Sequence, residues 1–192
     1  MGFLDALFAR SRPVPPNLDV LFAIPPATYT LEAAIGLHPT GVGAVCFKAA
    51  EGASGQHSEQ EILALLHLEA HITTNLTRDE FGYTWITCRQ EIIDIAELVT
   101  ALHAVNATLS DNGFGASLLC TVIGFSTLDQ QPPHRLGLVY LYKRGTVYPF
   151  APTGAQQRDN TLELQVRAAL SAELPVESEL ERWFPLWDAP AP

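Results

Sequence analysis

Two histidines near the middle of the chain have a spacing that metal sites use. His67 and His71 are four residues apart, so a continuous helix would place both on one face, with Glu69 between them. The zinc-protease pattern, however, has glutamate directly after the first histidine, where this chain has Leu68. The helix is also predicted to end near Leu68, and the sequence offers no evident third ligand. These observations favour the absence of a metal site.

A glycine pair, Gly41 and Gly43, matches the start of the dinucleotide-binding fingerprint. The third position of that fingerprint is Cys46 in this chain. The pair also precedes a predicted strand, whereas the fingerprint follows a strand and opens a helix. We therefore interpret the pair as a turn before a strand, and we expect no cofactor.

A search for a catalytic nucleophile gives no constellation. Ser117, in the run GASLL, lacks the second glycine of a nucleophile elbow, and no strand-to-helix turn is predicted after it. Cys120 could in principle form a nucleophile–base pair with His103, but both residues lie on faces predicted to be buried. A structural role is the better interpretation for all three side chains.

The densest basic spot in this acidic chain follows a predicted strand near residue 140. Tyr140 and Tyr142 would share one strand face, and Lys143 and Arg144 would stand at the end of a hairpin. One interpretation is ordinary strand packing with a charged turn, since exposed cations are common at turns. The other is a patch that binds an anion or a partner. Both interpretations stay open.

Large aromatic side chains are concentrated near the C-terminus. Trp183, Phe184 and Trp187 fall within a predicted terminal helix and its exit. Rings of this size either seal the edge of a core or anchor an interface. Sealing is the favoured interpretation.

Charge and composition limit the classes of function. The net charge is −10 and the isoelectric point about 4.9, so a nucleic acid would be repelled and is not an expected ligand. Apolar residues make up 47% of the 192 residues and charged residues 17%, which excludes wholesale disorder and leaves apolar surface for a partner. A chain of this length forms one domain.

The cysteines and the N-terminus indicate a reducing compartment. Cys46, Cys88 and Cys120 are odd in number and each lies in an apolar, strand-like stretch, so we expect free, buried thiols. No segment contains the roughly 18 uninterrupted apolar residues of a membrane span. The basic residues near the N-terminus follow the apolar ones, the reverse of a secretory signal. We expect a cytoplasmic protein.

The predicted organisation is an N-terminal arm followed by one domain. Residues 1–26 are expected to form a helical arm and a proline-rich spacer, and residues 27–192 a single α+β domain. The arm carries Phe3, Leu4, Leu7 and Phe8 on one side. Because isolated helices shorter than about 12–15 residues are marginal in water, we interpret it as a docking element. A second short helix over 18–23 is predicted to end at Pro25.

The remaining pattern predicts a mostly antiparallel sheet with helices packed on one face. The strand-like runs either alternate between apolar and polar residues or are apolar throughout, and capping residues precede the helical runs. The order fits a ferredoxin-like or a secretion-chaperone-like arrangement, and we leave both open. The predicted strands are 43–48, 71–77, 83–89, 117–127, 136–144 and 146–150; the predicted helices are 31–35, 59–68, 92–110, 160–172 and one starting at Ser178 and ended by Pro185.

Several long stretches together resemble the PspA-associated protein family of the PspAB type, which is linked to the phage-shock envelope-stress system. The resemblance covers nearly the whole chain and is weakest between Glu51 and Arg78. The stretches that carry it are GFLDALFAR (2–10), PNLDVLFAIP (16–25), TGVGAVCFK (40–48), FGYTWITCR (81–89), LHAVNATLSDNGFGASLLC (102–120), GLVYLYKRGTVYPFAP (137–152), RDNTLELQVRAAL (158–170) and ERWFPLW (181–187).

The resemblance implies a non-enzymatic accessory or adaptor protein. Its implied partner is a PspA-like coiled-coil protein or another phage-shock component, with peripheral membrane association through that partner, and a homodimer is left open. The alternative is a small-molecule- or anion-binding domain, or an enzyme of unknown reaction, that uses the Tyr140–Arg144 region. The lack of an acid–base–nucleophile constellation favours the adaptor. The predicted partner-binding residues are Phe3, Leu4, Leu7, Phe8, Tyr142, Lys143 and Arg144.

Overall fold

A six-stranded antiparallel sheet is the centre of the computed structural model, which describes residues 16–48, 61, 64, 66, 71–154, 156–187 and 189–191. Its strands lie in the order β2-β3-β1-β4-β5-β6. The predicted α+β class is confirmed. The strands are β1 (Leu37–Phe47), β2 (Ile72–Arg78), β3 (Thr84–Gln90), β4 (Leu118–Thr127), β5 (Arg135–Leu141) and β6 (Thr146–Phe150).

The strand order is the ferredoxin-like one of the two that were predicted. Strand β3 lies between β1 and β2, as in a split βαβ unit, and β4 pairs with the other edge of β1. Strands β5 and β6 then extend the sheet by two hairpins. Of the helix predicted between β1 and β2, Glu61 and Ala64 are helical, and most of its other residues lie outside the described part.

In the described part of the chain, three complete α-helices supply most of the apolar side chains that cover one face of the sheet. They are α1 (Ile24–Ile35), α2 (Ile95–Leu109) and α3 (Asn160–Leu170). Side chains at alternate strand positions, such as Val45 and Phe47, pack against them in one large core. Helix α2 approaches β1 so closely that a methyl group at Gly43 would lie 2.6 Å from Leu102 Cδ1. Gly43 therefore serves packing. The interpretation of the pair as a turn before a strand is wrong, because both glycines lie within β1, where Gly41 has a positive φ at an irregularity in the pairing with β4.

The opposite face of the sheet is covered by the C-terminal segment. Cys46, Val122 and Tyr148 point to this face and form a second core with Trp183 and Ala191 of the segment. The Trp183 ring stacks on that of Tyr148 with centroids 6.1 Å apart, and its Nε1 donates to the Glu177 carbonyl. Trp183 thus seals a core, as favoured. A small pair, β7 (Pro152–Gly154) and β8 (Gln157–Arg158), leads into α3.

The predicted helix end at Pro25 is wrong. A 3-10 turn, Leu18–Ala23, runs directly into α1, and Pro25 and Pro26 lie in the first helical turn. Backbone N–H groups have no intrahelical partner there, so proline is tolerated at that position. Leu21 and Ile24 are fully buried in the helix-side core.

Two other helix predictions need correction. The helix predicted over 92–110 begins only at Ile95, and Ile92 is 87% exposed. Asp94 is the reason, because its Oδ1 accepts from the Ala96 and Glu97 N–H groups and so sets the helix start after residue 92. The helix predicted from Ser178 is only a 3-10 turn, Leu180–Arg182.

The stretch Leu18–Ile35 is long and apolar enough to span a membrane, with a mean hydropathy of 1.2. In this structure, however, Leu21, Ile24, Ala27 and Leu31 are buried against the sheet and the other helices. A core helix passes the same test of length and composition, so the stretch is weak evidence for a membrane span.

Candidate functional site

The sheet brings two of the three cysteines together. Cys46 of β1 and Cys120 of β4 are direct cross-strand partners on the face covered by the C-terminal segment. Cys88 lies in the helix-side core. All three thiols are free and buried, as predicted. A hydrogen bond with the Cys120 thiol, together with burial, raises the pKa of Cys46, and burial raises the pKa of Cys88 to about 12.

A cavity of about 490 Å³ opens beside the Cys46–Cys120 pair. Its volume falls within the range of roughly 300–1,000 Å³ seen for ligand pockets. The wall is mostly apolar and aromatic. We call this space the aromatic cavity; the residues around it are Cys46, Asp79, Phe81, Tyr83, Trp85, Leu119, Cys120, Leu141, Tyr148, Phe184, Pro185, Leu186, Trp187 and Ala189.

Several polar groups on the cavity wall, among them Asp79 and the Tyr148 hydroxyl, form hydrogen bonds within the protein. Asp79 Oδ1 accepts from the Phe81 and Tyr83 N–H groups, and its Oδ2 accepts from Trp85 Nε1 at 3.0 Å. The Tyr148 hydroxyl donates to the Phe184 carbonyl at 2.8 Å. Burial raises the pKa of Tyr148, so this hydroxyl keeps its proton at neutral pH. The wall is therefore held in place by internal hydrogen bonds and is suited to an apolar guest.

Exposed aromatic rings stand at the mouth of the aromatic cavity. Phe81, in the β2–β3 turn, is 65% exposed, and Phe184 is 57% exposed. Large exposed apolar groups next to a concave apolar site are typical of an interaction surface. Sequence reasoning missed this site, although it singled out Phe184 and Trp187.

The predicted hairpin site is only partly available to a partner. Tyr140 and Tyr142 share a strand face as expected, but both rings are buried in the helix-side core. Their hydroxyls donate to the Asn17 carbonyl and to Ser110 Oγ. Lys143 is exposed, and no ion pair joins it to the described residues. The two tyrosine rings therefore pack as core residues of the sheet.

Arg144 forms an ion pair inside the protein. Its Nε donates to Oε2 of Glu177 at 2.6 Å, and Glu177 is 1% exposed. The same carboxylate accepts from Thr146 Oγ1 and from the Glu179 N–H group. Burial by itself would raise the pKa of Glu177, but these donors outweigh it and lower the pKa below the ordinary value of 4.5. The guanidinium of Arg144 is therefore committed to the fold.

The lowered pKa of Glu177 predicts acid sensitivity. A carboxyl group whose folded pKa is lowered contributes stability that is present above its unfolded pKa and is lost as pH falls through the folded value. Replacing Glu177 by Gln should cost about 1–3 kcal/mol at pH 7, because charged hydrogen bonds to a buried group are lost. The difference from wild type should shrink as the pH falls below about 4.3. Urea unfolding at pH 7 and pH 3, with the exposed Glu181→Gln as control, measures it; a constant difference would contradict the prediction.

The remaining sequence candidates do not assemble into a site. His71 Nε2 contacts Glu97 Oε2 at 2.7 Å, and His67 and Glu69 lie outside the described residues. His103 packs against the Phe22 ring on the helix side, away from Cys120. Within the described ranges, no three His, Cys, Asp or Glu residues form a group that could hold a metal. The predicted contact residues Phe3, Leu4, Leu7 and Phe8 also lie outside the described residues.

Comparison with known proteins identifies the family. No curated protein and no solved structure matches the chain. The family model described as PspA associated protein B matches residues 1–191. That match spans the sheet, the C-terminal segment that borders the aromatic cavity, and the N-terminal residues that precede Asn17. The chain belongs to the PspA associated protein B family.

Proposed function

We propose that this protein is a non-enzymatic adaptor of a phage-shock-type stress response and binds a PspA-like coiled-coil partner in the cytoplasm. The observation that carries the proposal is the family match over residues 1–191, since the description of the family names association with PspA. Three free, buried thiols support a reducing compartment. Membrane association, where it occurs, is then through the partner.

The surface features are consistent with an adaptor. A coiled-coil helix offers rows of apolar side chains flanked by charges. The aromatic cavity and the exposed rings of Phe81 and Phe184 offer a concave apolar counterpart. The N-terminal residues Phe3, Leu4, Leu7 and Phe8 offer a second apolar element, and Lys143 offers a rim charge.

Co-purification from the native host tests the proposal. The protein should be recovered with a PspA-like partner, and the recovered amount should change when the membrane is stressed. Recovery of the protein without any phage-shock component under both conditions would contradict the proposal.

A ligand-binding function is the second candidate, and the aromatic cavity is the observation that favours it. Its volume and apolar wall suit a small hydrophobic molecule. We place this candidate site in the cavity rather than in the Tyr140–Arg144 region, because both rings there are buried and Arg144 is paired with Glu177. Native mass spectrometry of the purified protein distinguishes the two, because a co-purified small molecule would favour the second candidate.

Reversing the charge of Lys143 should slow association with an acidic coiled coil. Rim charges act mainly on the association rate, so Lys143→Glu should lower that rate by about threefold at low salt with little change in dissociation. The difference should fade toward 1 M salt, where the Debye length is about 3 Å. Stopped-flow mixing measures both rates. The matched control is Arg89→Glu, which makes the same charge change on β3, at the end of the sheet opposite to Lys143. Equal slowing of association in the two variants would contradict a local role for Lys143.

A further inference from the structure

The chain enters the described domain at the end of the sheet where the aromatic cavity opens. The Asn17 carbonyl accepts from the Tyr140 hydroxyl at 2.9 Å. A Cβ atom placed on Gly145, in the turn between β5 and β6, would lie 3.7 Å from Asn17 Cβ. That turn follows Leu141, which lines the cavity. Residues 1–16 therefore start within reach of the cavity mouth.

The linking residues are long enough to cross the end of the sheet. Eight residues, 9–16, separate Phe8 from Asn17, and three of them are Pro13, Pro15 and Pro16. An extended, proline-rich stretch spans about 3.1 Å per residue, or roughly 25 Å in total. Packed layers are only about 10 Å apart. Phe8 can therefore pass from the helix side of the sheet, where Asn17 contacts Tyr140, to the opposite face, where the cavity lies.

The chemistry of the N-terminal segment matches the cavity. Phe3, Leu4, Leu7 and Phe8 form one apolar side at helical spacing. The cavity wall is mostly apolar and aromatic, and Asp79, Trp85 Nε1 and the Tyr148 hydroxyl are hydrogen-bonded within the protein, so an apolar guest leaves these groups paired. An apolar segment that is too short to be stable as an isolated helix gains most by docking on such a surface.

The charges that follow the segment are opposite in sign to those near the cavity. Arg10 and Arg12 follow its apolar side directly. Glu80, between the cavity residues Asp79 and Phe81, is an exposed carboxylate, and Glu181, three residues before the cavity residue Phe184, is another. In a chain with a net charge of −10, a basic segment is attracted to this rim, whereas the acidic remainder of a second copy is repelled.

We propose that the segment Gly2–Arg10 docks in the aromatic cavity of its own chain. In this docked state the apolar side of the segment is buried against the cavity and is withheld from other proteins. A partner that binds the segment competes with the cavity, so partner binding and cavity opening are coupled. The docking itself requires no partner and is independent of the proposed adaptor function.

A photo-crosslink tests the contact in the full-length protein without any partner. Replacing Phe8 by the photoreactive aromatic p-benzoylphenylalanine keeps a ring at the position and leaves the fold unchanged. Irradiation should join residue 8 to peptides that contain Tyr83 and Trp85 or Leu186 and Trp187, within a monomer. A crosslink that gives a covalent dimer would show a second copy in the cavity, and crosslinks that miss the cavity would show another docking surface; either result overturns the proposal.

Thiol labelling supplies a second readout, with a reference built into the chain. Cys46 and Cys120 line the cavity, whereas Cys88 lies on the helix side of the sheet. In the double variant Leu7→Asp and Phe8→Asp, Cys46 and Cys120 should react with a maleimide about tenfold faster than in wild type, because the segment no longer docks in the cavity and covers them. The reaction rate of Cys88 should be unchanged. Ala9→Asp, which adds charge on the other side of the segment, should label as wild type.

A synthetic peptide of residues 1–12 completes the test. Added to the Leu7→Asp with Phe8→Asp protein, it should restore the protection of Cys46 and Cys120. Unchanged labelling of the pair in the variant, or a failure of the peptide to protect it, would overturn the proposal. Neither outcome bears on whether a PspA-like protein binds, so the two ideas fail separately.

Discussion

Replacing Glu163 by alanine should destabilise the protein by about 3–5 kcal/mol, the cost of leaving one partner of a buried ion pair alone. Glu163 lies on α3 and is 2% exposed. Its two carboxylate oxygens accept from Arg158 Nε at 2.8 and 3.0 Å, and Oε1 also accepts from the Ala151 N–H group. No other described residue offers Arg158 a second carboxylate.

The effect should extend to the face that borders the aromatic cavity. Arg158 also donates from Nη1 to the Trp183 carbonyl, and its guanidinium lies 5.2 Å from the centroid of the Phe150 ring. Its Nη2 atom is buried and has no hydrogen-bond partner among the described residues. Removing the carboxylate therefore loosens a guanidinium that ties α3 to the C-terminal segment.

Denaturant unfolding with a matched control measures the effect. Glu179→Gln removes a carboxylate that is 54% exposed and pairs with Arg182, and it should cost less than about 1 kcal/mol. For a chain of this size, the Glu163 variant should melt roughly 6–20 °C lower than wild type. Equal effects in the two variants would show that burial of the Glu163–Arg158 pair contributes nothing.

Placing aspartates at Leu7 and Phe8 should accelerate dissociation of a PspA-like partner by about a hundredfold. Apolar anchors at the centre of an interface cost about 2 kcal/mol or more when they are lost, and 1.4 kcal/mol corresponds to a tenfold change. Interface substitutions act mainly on the dissociation rate, so the association rate should change little. Surface plasmon resonance with immobilised partner measures both rates.

The control for this variant is Ala9→Asp, which adds a charge to the same segment on the side away from Leu7 and Phe8. It should dissociate within about threefold of wild type, since rim charges affect affinity little. Similar dissociation of the Leu7–Phe8 variant and the control would place the contact elsewhere, and the aromatic cavity would then be the first surface to test.

Local patterns predicted most of the elements because each pattern has a local physical cause. The apolar spacing of α2 and the strand-like runs that became β2 to β6 follow from side-chain periodicity. The buried, unpaired thiols followed from the apolar sequence around each cysteine. Where prediction failed locally, the competing cause was also local: Asp94 capped α2 later than the periodicity indicated, and Pro25 occupied a first helical turn.

The candidate site could not be predicted because it depends on pairing between distant strands. Cys46 and Cys120 meet only through the register of β1 against β4. The cavity wall combines that pair with the β2–β3 turn and the C-terminal segment. Arg144 is exposed, but the buried carboxylate that pairs with it, Glu177, lies 33 residues away in an irregular segment that no periodicity describes. A cavity of this kind has no signature in any single stretch of sequence.

Titration of the purified full-length protein with its cognate PspA-like protein tests the adaptor function most directly. Isothermal calorimetry, with and without lipid vesicles, should show saturable binding at micromolar concentrations or below. The heat-capacity change should be negative, because apolar surface is buried on binding. No binding at micromolar concentrations under both conditions would contradict the adaptor function, and ligand binding in the aromatic cavity would become the leading explanation.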